Sequence, residues 1–235
     1  MGKNLRTQRR GRGTSPTYRS PSHRHFGAVK HFKGEGEGVV EDIIQAPGRS
    51  APVALVRYGE KKTMLIAPDG LEVGQTVTTG KPVIERGCTL PLGEIPEGTL
   101  VYNIEMQPGD GGKLVRAAGT TALIVSQGAK TILQLPSGQM KDFDRHCRAT
   151  VGVVSGAGRG DKPFYKAGRK FFAYRSLAKA YFKVSGVAMN PVDHPHGGGA
   201  HQHVGKPSTV SSGAPPGRKV GRLSPQKKKK KKKVK

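Results

Sequence analysis

The charges of this chain are segregated along its length, and that segregation limits what the chain can fold into. Residues 1–33 carry nine Lys and Arg and no acid, for a net of +9. Residues 34–160 carry 13 basic and 14 acidic residues, for a net of −1. Residues 161–235 carry 19 basic residues against Asp161 and Asp193, for a net of +17. A total of +25 opposes compaction and calls for a polyanionic partner, with nucleic acid the leading candidate. A hydrophobic core therefore belongs in the nearly neutral middle, and the basic character belongs to two flanks.

The flanks lack the composition to bury a core. After Met1, residues 1–25 offer Leu5 and Tyr18 as their only large apolar groups. Such a segment cannot offset its own ordering entropy and is expected to be disordered without a partner. Fully extended, 33 residues reach roughly 110 Å. Lys227 to Lys233 form a run of lysines, read as a solvated tail that grips phosphate without sequence preference, with a localisation signal or an expression-related feature as the alternatives. No run of 18 apolar residues exists to cross a bilayer as a helix, so no membrane partner is expected. No charged segment followed by an apolar one opens the chain as a secretion signal would. Cys88 and Cys147 cannot make a disulfide scaffold; reduced thiols fit a cytoplasmic protein, and both read as small buried residues.

The middle reads as short strands. Val39, Val40, Ile43 and Ile44 precede a Pro47-Gly48 turn. The runs 52–59 and 61–66 are joined through Gly-Glu-Lys-Lys, which predicts a hairpin. Further apolar runs follow at 81–88, 99–110, 113–127, 130–138 and 140–156, bounded by Pro-Gly, Asp-Gly or Gly-Gly. This spacing predicts an all-β architecture, and its length fits two small barrels better than one sheet, with a seam at 76–82.

One helix is predicted over 167–184, where Phe171, Tyr174, Leu177, Ala178 and Tyr181 form one apolar stripe. Lys170, Arg175, Lys179 and Lys183 lie elsewhere on the wheel. The plainer reading docks this helix on the barrel with solvated lysines; the reading favoured here sets one face on protein and the other on phosphate.

The most distinctive stretch is GVAMNPVDHPHGGGAHQHVGKPST at 186–209. It is neither helix nor strand, since prolines stiffen one half while Gly197, Gly198 and Gly199 permit close backbone approach in the other. Three chemistries compete. His194, His196, His201 and His203 could hold a metal, although the spacing is not that of structural zinc sites. His194 beside Asp193 could move protons, although no nucleophile motif accompanies the pair. A shaped RNA-contact loop is the third and preferred reading, with imidazoles against bases or phosphate and glycine amides meeting phosphate directly. Gly/Pro loops with an Arg at 11–16 and 46–52 suit backbone phosphate contact. The 156–163 stretch lacks the ending of a nucleotide P-loop; it reads as a linker whose Arg159 and Lys162 reach phosphate.

The 186–199 stretch closely resembles the signature of the large-subunit ribosomal protein two family. SHRHFGAVKHF (22–32), APGRSAPVALVRY (46–58), RAAGTTALIV (116–125), AHQHVGKPST (200–209) and APPGRKVG (214–221) look like family segments too, so the resemblance spans nearly the whole chain. The last two resemble the archaeal and eukaryotic branch, and the compact length favours archaea. An Asp+Glu count of 16 argues against an extreme halophile, and the Lys-rich end departs from the family's Arg-containing ending.

The resemblance implies a mainly β fold: an OB-fold barrel followed by an SH3-like barrel, with long basic irregular extensions and one short basic helix. The organisation it implies is a basic arm at 1–33, an OB-fold RNA-binding domain at 34–80, an SH3-like barrel at 81–160 and a basic extension at 161–235. It also implies binding to 23S ribosomal RNA, neighbouring large-subunit proteins, an intersubunit contact with the small subunit, tRNA placement and nearness to the peptidyl-transferase centre. No catalysis and no cofactor are expected, apart from structural Mg2+ associated with the rRNA, and His194 is expected to organise rather than catalyse. The residues expected on rRNA are Arg6, Arg9, Arg10, Arg12, Arg19, Arg24, His25, Arg49, Arg159, Lys162, Lys170, Arg175, Lys179, Asn190, Asp193, His194, His196, Gly197, Gly198, Gly199, His201, His203, Lys206, Arg218 and Lys219. Two other classes stay open at this point, a soluble RNA-binding translation factor and a His- or metal-dependent enzyme acting on RNA.

Overall fold

The computed structural model describes residues 2–5, 7–10, 13, 18–20, 22–81 and 83–223. Arg6, Arg12 and the lysine run 227–233 lie outside the described residues. The chain divides into two compact units: residues 21–177 form one, and both chain ends, 1–20 with 178–235, form the other.

The larger unit is mainly β, as its strand spacing predicts. β1 (Gly36–Ile44), β2 (Val53–Tyr58), β3 (Lys61–Ile66) and β4 (Thr76–Thr79) make its first half. β5 (Thr89–Pro91), β6 (Leu100–Tyr102), β7 (Ala122–Gln127), β8 (Thr131–Gln134), β9 (Met140–Phe143) and β10 (Arg148–Val151) make its second. The strands follow the order β3-β2-β1-β4-β5-β10-β6-β7-β8-β9, an OB-fold half passing into an SH3-like half. Among the described residues the pairings form this one linear order, and no pairing closes either half into a ring.

The expected hairpin is present as β2 and β3, paired from Val53↔Ile66 to Tyr58↔Lys61, so its loop is Gly59-Glu60 and both lysines belong to the strand. β1 bends at a register shift between Val40 and Asp42, which lets one long strand serve both β2 and β4. The 76–82 stretch supplies β4, which meets β5 through the single parallel pair Thr79↔Thr89. The described residues of the apolar run at 81–88 form no strand, and Val83 and Ile84 are solvent-exposed. Of the 113–127 run only Ala122–Gln127 is strand.

Three apolar clusters hold this unit. Val40, Val56, Leu65 and Val77 fill the first half, and Leu90, Ile95, Ile104, Ile124 and Leu133 fill the second. Val29, Val53, Ile66, Tyr102 and Val154 tie the halves together, and the buried Tyr102 hydroxyl donates to the Ile66 carbonyl at 3.0 Å. Both cysteines are free and buried.

Polar groups stitch residues 29–32 across the second half. Arg116 Nη2 donates to the Val29 carbonyl at 3.0 Å and Arg148 Nη1 to the Phe32 carbonyl at 2.7 Å. His31 is 3% exposed, and its Nε2 sits 2.7 Å from the Asn103 carbonyl. Beside it the fully buried Glu105 carboxylate accepts from the Gly111 amide at 2.9 Å, the Arg148 amide at 2.9 Å and Arg148 Nη2 at 3.1 Å. The end of the first basic flank is thus part of the body.

The predicted helix is present but short. α1 spans Ala167–Ser176, ten residues, and stops well before Gly186. No side chain caps its start and no acid sits in its first turn, so little stabilises it. Ser176 turns its hydroxyl back to the Ala173 carbonyl at 2.7 Å, and Ala178 adopts φ 51, the left-handed conformation that ends helices. The apolar stripe past residue 176 is therefore not helical, and the one fully buried side chain on α1 is Ser176, which donates to the Pro47 carbonyl at 3.0 Å.

Candidate RNA interface

The unit built from the two chain ends carries 20 of the 41 Lys and Arg residues against a single acid, Asp193. Not one of its described residues is fully buried. Its order comes from main-chain bonds instead. The Lys3 amide donates to the Val192 carbonyl at 2.8 Å, and Lys3 Nζ pairs with Asp193 at 3.0 Å. Both charges are partly exposed, so the pair adds little stability and serves to set register. Gln8 Oε1 accepts the Leu5 amide at 2.7 Å at the start of the tight turn Gln8–Arg10. A short parallel pair, β11 (Thr209–Val210) with β12 (Arg222–Leu223), joins the far segments.

The 186–199 stretch folds back on itself as its Pro/Gly content demands. The Asn190 carbonyl accepts the Asp193 and His194 amides at 3.0 and 3.1 Å. The Gly197 amide donates to the His194 carbonyl at 2.9 Å and the Gly198 amide to the Met189 carbonyl at 3.0 Å. A Cβ on Gly197 would lie 2.4 Å from the Asn190 carbonyl oxygen, so only glycine fits there, and Gly198 takes φ +82. These two glycines serve close packing; their amides are occupied inside the loop rather than offered to phosphate.

His194 is the ring on which the loop closes. It packs over Gly186, where a Cβ would sit 2.3 Å from the imidazole, and its centroid lies 4.9 Å from that of His196. The His196 amide donates to His194 Nδ1 at 3.0 Å, so Nδ1 acts as acceptor and Nε2 carries the proton. Burial, with the nearby His196, holds its pKa below the ordinary imidazole value. The ring is therefore a neutral donor and stacking group near pH 7, not a standing cation.

This geometry separates the three chemistries. Asp193 directs its carboxylate to Lys3, and no bond joins it to His194 among the described contacts, so the adjacent pair does not form an acid–base dyad. His203 Nδ1 is bonded to the His201 carbonyl at 2.7 Å, and no group of three or more His, Cys, Asp or Glu among the described residues is placed to hold a metal. What remains is a cavity of about 1020 Å³ whose wall mixes apolar Leu5, Val184, Met189 and Val220 with Lys3, Arg9, Lys219, Asn190, Asp193 and His194. Three cations there outnumber the one carboxylate, and an apolar wall with an amide and a neutral imidazole beside them suits an unpaired base on its sugar-phosphate chain.

The other expected contacts divide by unit. Arg9 and Arg19 are exposed and steadied by the Asn4 and Gly13 carbonyls at 3.1 and 2.9 Å. Arg10 lies in the turn Gln8–Arg10. Lys179, Gly199, His201, His203, Lys206, Arg218 and Lys219 are exposed on the same unit. Arg24, His25, Arg49, Arg159, Lys162, Lys170 and Arg175 belong to the larger unit. There, Arg49 Nη2 donates to the Gly27 carbonyl at 2.6 Å, and Arg159 Nη1 to the Ser50 carbonyl at 2.7 Å. Burial lowers the Arg49 pKa from its ordinary value. His25 covers Gly48, where a Cβ would lie 2.3 Å from its ring. These residues fasten the 24–27 and 46–52 loops as well as presenting charge. Lys162 and Arg175 are exposed, and Lys170 Nζ lies 5.7 Å from the Tyr174 ring. Lys3 escaped the sequence reading, because nothing local marks a residue whose partner is 190 positions away.

Two family models match the chain: the RNA-binding N-terminal domain of ribosomal proteins L2 over residues 2–79, and the C-terminal domain of ribosomal proteins L2 over residues 85–217. The large ribosomal subunit protein uL2 of Methanothermobacter thermautotrophicus is 54% identical over 235 aligned residues, covering 95% of this chain and 97% of that one. The uL2 protein of Thermoplasma acidophilum is 55% identical over 228 residues, covering 96% and 97%. That of Picrophilus torridus is 54% identical over 234 residues, covering 98% and 99%.

Proposed function

The chain belongs to the ribosomal protein L2 family, and from that membership we propose that it works as a structural, RNA-binding constituent of the large ribosomal subunit. Its RNA partner is 23S rRNA, with adjacent large-subunit proteins and an intersubunit contact to the small subunit around it. Through that binding it supports subunit association, tRNA placement and the organisation of the peptidyl-transferase centre. The role is architectural rather than enzymatic and uses no cofactor of the chain's own, Mg2+ entering with the RNA.

One observation carries this reading: the described residues of the most basic part of the chain have a defined path but no buried core. A segment with 20 cations and one acid gains little from its own packing, so its ordering free energy must come from phosphate. Arg9, Arg19, Lys179, Lys206, Arg218 and Lys219 supply the phosphate contacts, and the 186–199 loop places His194 and His196 against bases. His194 acts by position, as a neutral donor fixed through Nδ1. The larger unit is the platform: its apolar clusters hold it together and leave its few fastened arginines for the rRNA surface.

Sedimentation of ribosomes through a high-salt cushion tests this. The chain is expected to remain with the large subunit, as a component buried in folded RNA does. Release into the supernatant at the same salt would place it among soluble translation factors and contradict the reading.

A further inference from the structure

We infer that α1 and the turn before it form a stacking platform for unpaired RNA bases, distinct from the chain-end unit; this rests on the RNA-binding reading above. Four large rings stand out in solvent here: Tyr165 is 83% exposed, Phe172 62%, Phe171 45% and Phe164 43%. A soluble surface rarely leaves so much aromatic area in one short segment without a partner. Phe171 and Phe172 are edge to face, with centroids 5.4 Å apart, so neighbouring rings present different planes.

Tyr165 is held outward by its backbone. The Lys166 amide closes a tight turn on the Phe164 carbonyl, and Tyr165 takes φ 53, a conformation that bulky side chains disfavour. That strain spends stability on display. α1 itself is uncapped, and its only fully buried side chain is Ser176. Phe171 and Phe172 both stay exposed on it.

Charge selects the occupant. Residues 162–176 contain Lys162, Lys166, Arg169, Lys170 and Arg175 and no acid. Rings alternating with cations match the faces of bases and the phosphates between them. A duplex offers no base faces, because its bases are already stacked and its deep groove excludes side chains. The ligand class is thus single-stranded RNA, a loop or bulge, and not helix.

The chain contains no tryptophan, which makes a direct test available. Phe172→Trp in the full-length protein introduces a single indole reporter at the platform. Titration with a 12-nucleotide oligoadenylate is expected to quench its fluorescence to saturation, while an RNA duplex of equal length leaves it bright. In the otherwise native chain, Tyr165→Ala with Phe172→Ala should weaken oligoadenylate binding by about 5- to 100-fold. The salt dependence should not change, because no cation is removed, and far-UV circular dichroism should not change, because both rings are exposed.

Equal quenching by duplex, or unchanged affinity in the double variant, would overturn the inference. So would quenching by polyglutamate equal to that by RNA, since the face would then be a dock for acidic protein. Anisotropy of labelled RNA separates the levels: binding without quenching refutes the platform alone, and no RNA binding at all refutes the proposed function with it.

Discussion

Glu105→Ala is expected to destabilise the larger unit by about 3–5 kcal/mol, the range found when one partner of a buried ion pair is removed. Glu105 is fully buried, and Arg148, its partner at 3.1 Å, keeps only 18% of its side chain exposed. Removing the carboxylate leaves that guanidinium poorly solvated and also orphans the Gly111 and Arg148 amides. Burial alone would raise the Glu105 pKa, but the bonds from Arg148 and Gly111 outweigh it and hold the carboxyl below its ordinary value. Denaturant unfolding of the full chain checks this, read as the midpoint shift at constant slope. The conservative Glu105→Gln keeps the shape and isolates the charge. A loss under about 1 kcal/mol for both variants would mean that the pair is not structurally important.

Acid should be the second large perturbation, through His31. Burial pushes its pKa down from 6.5 to about 4, with the Asn103 carbonyl and Glu105 opposing and Arg148 and Arg116 assisting. Its Nε2–H donates to the Asn103 carbonyl, and burial, which outweighs that bond, holds the folded ring neutral. The unfolded chain takes up its proton at the ordinary imidazole value, above the folded one. The His31 contribution is therefore complete above pH 6.5 and is lost as pH falls toward about 4. The gap corresponds to about 3 kcal/mol. Glu105, whose folded pKa is depressed, adds a further loss below its ordinary value near 4.5. Thermal unfolding at pH 7, 5.5 and 4.5 should show a falling midpoint, and His31→Gln should flatten the decline above pH 5. A midpoint independent of pH in that window would sink this account of His31.

The strand series was legible because each run is short, apolar and bounded by turn residues. Val53 to Tyr58 and Lys61 to Ile66 needed no long-range information. The 186–199 loop was legible for the same local reason: Pro191, Pro195 and three consecutive glycines exclude both regular structures. β4 was harder, because Thr76–Thr79 carries one Val among threonines and owes its state to pairing with β1. The helix was overread. A stripe at helical spacing continues to Tyr181, but the Ser176 hydroxyl and the left-handed Ala178 end it earlier, and neither leaves a trace in periodicity.

Charge partition located the basic flanks correctly but drew them as two separate arms. Their union into one unit depends on Lys3 meeting Val192 and Asp193, contacts between segments that no local pattern relates. The boundary also differs from a break in composition. Residues 29–32 are basic by neighbourhood, yet Arg116 and Arg148 bind their carbonyls and His31 is buried. The proposed division of labour therefore follows the two units rather than the charge count along the chain.

The most direct test is the salt dependence of rRNA binding by two full-length variants with equal charge loss. One replaces Arg9, Arg19, Lys179, Lys206, Arg218 and Lys219 with Gln; the other replaces Arg57, Lys61, Lys81, Lys113, Lys130 and Arg145. If the chain-end unit supplies the phosphate contacts, the first variant loses about 4–5 in the log–log slope, while the second keeps nearly the slope of the unaltered chain. Equal losses from both sets would contradict the assignment of these phosphate contacts to the chain-end unit.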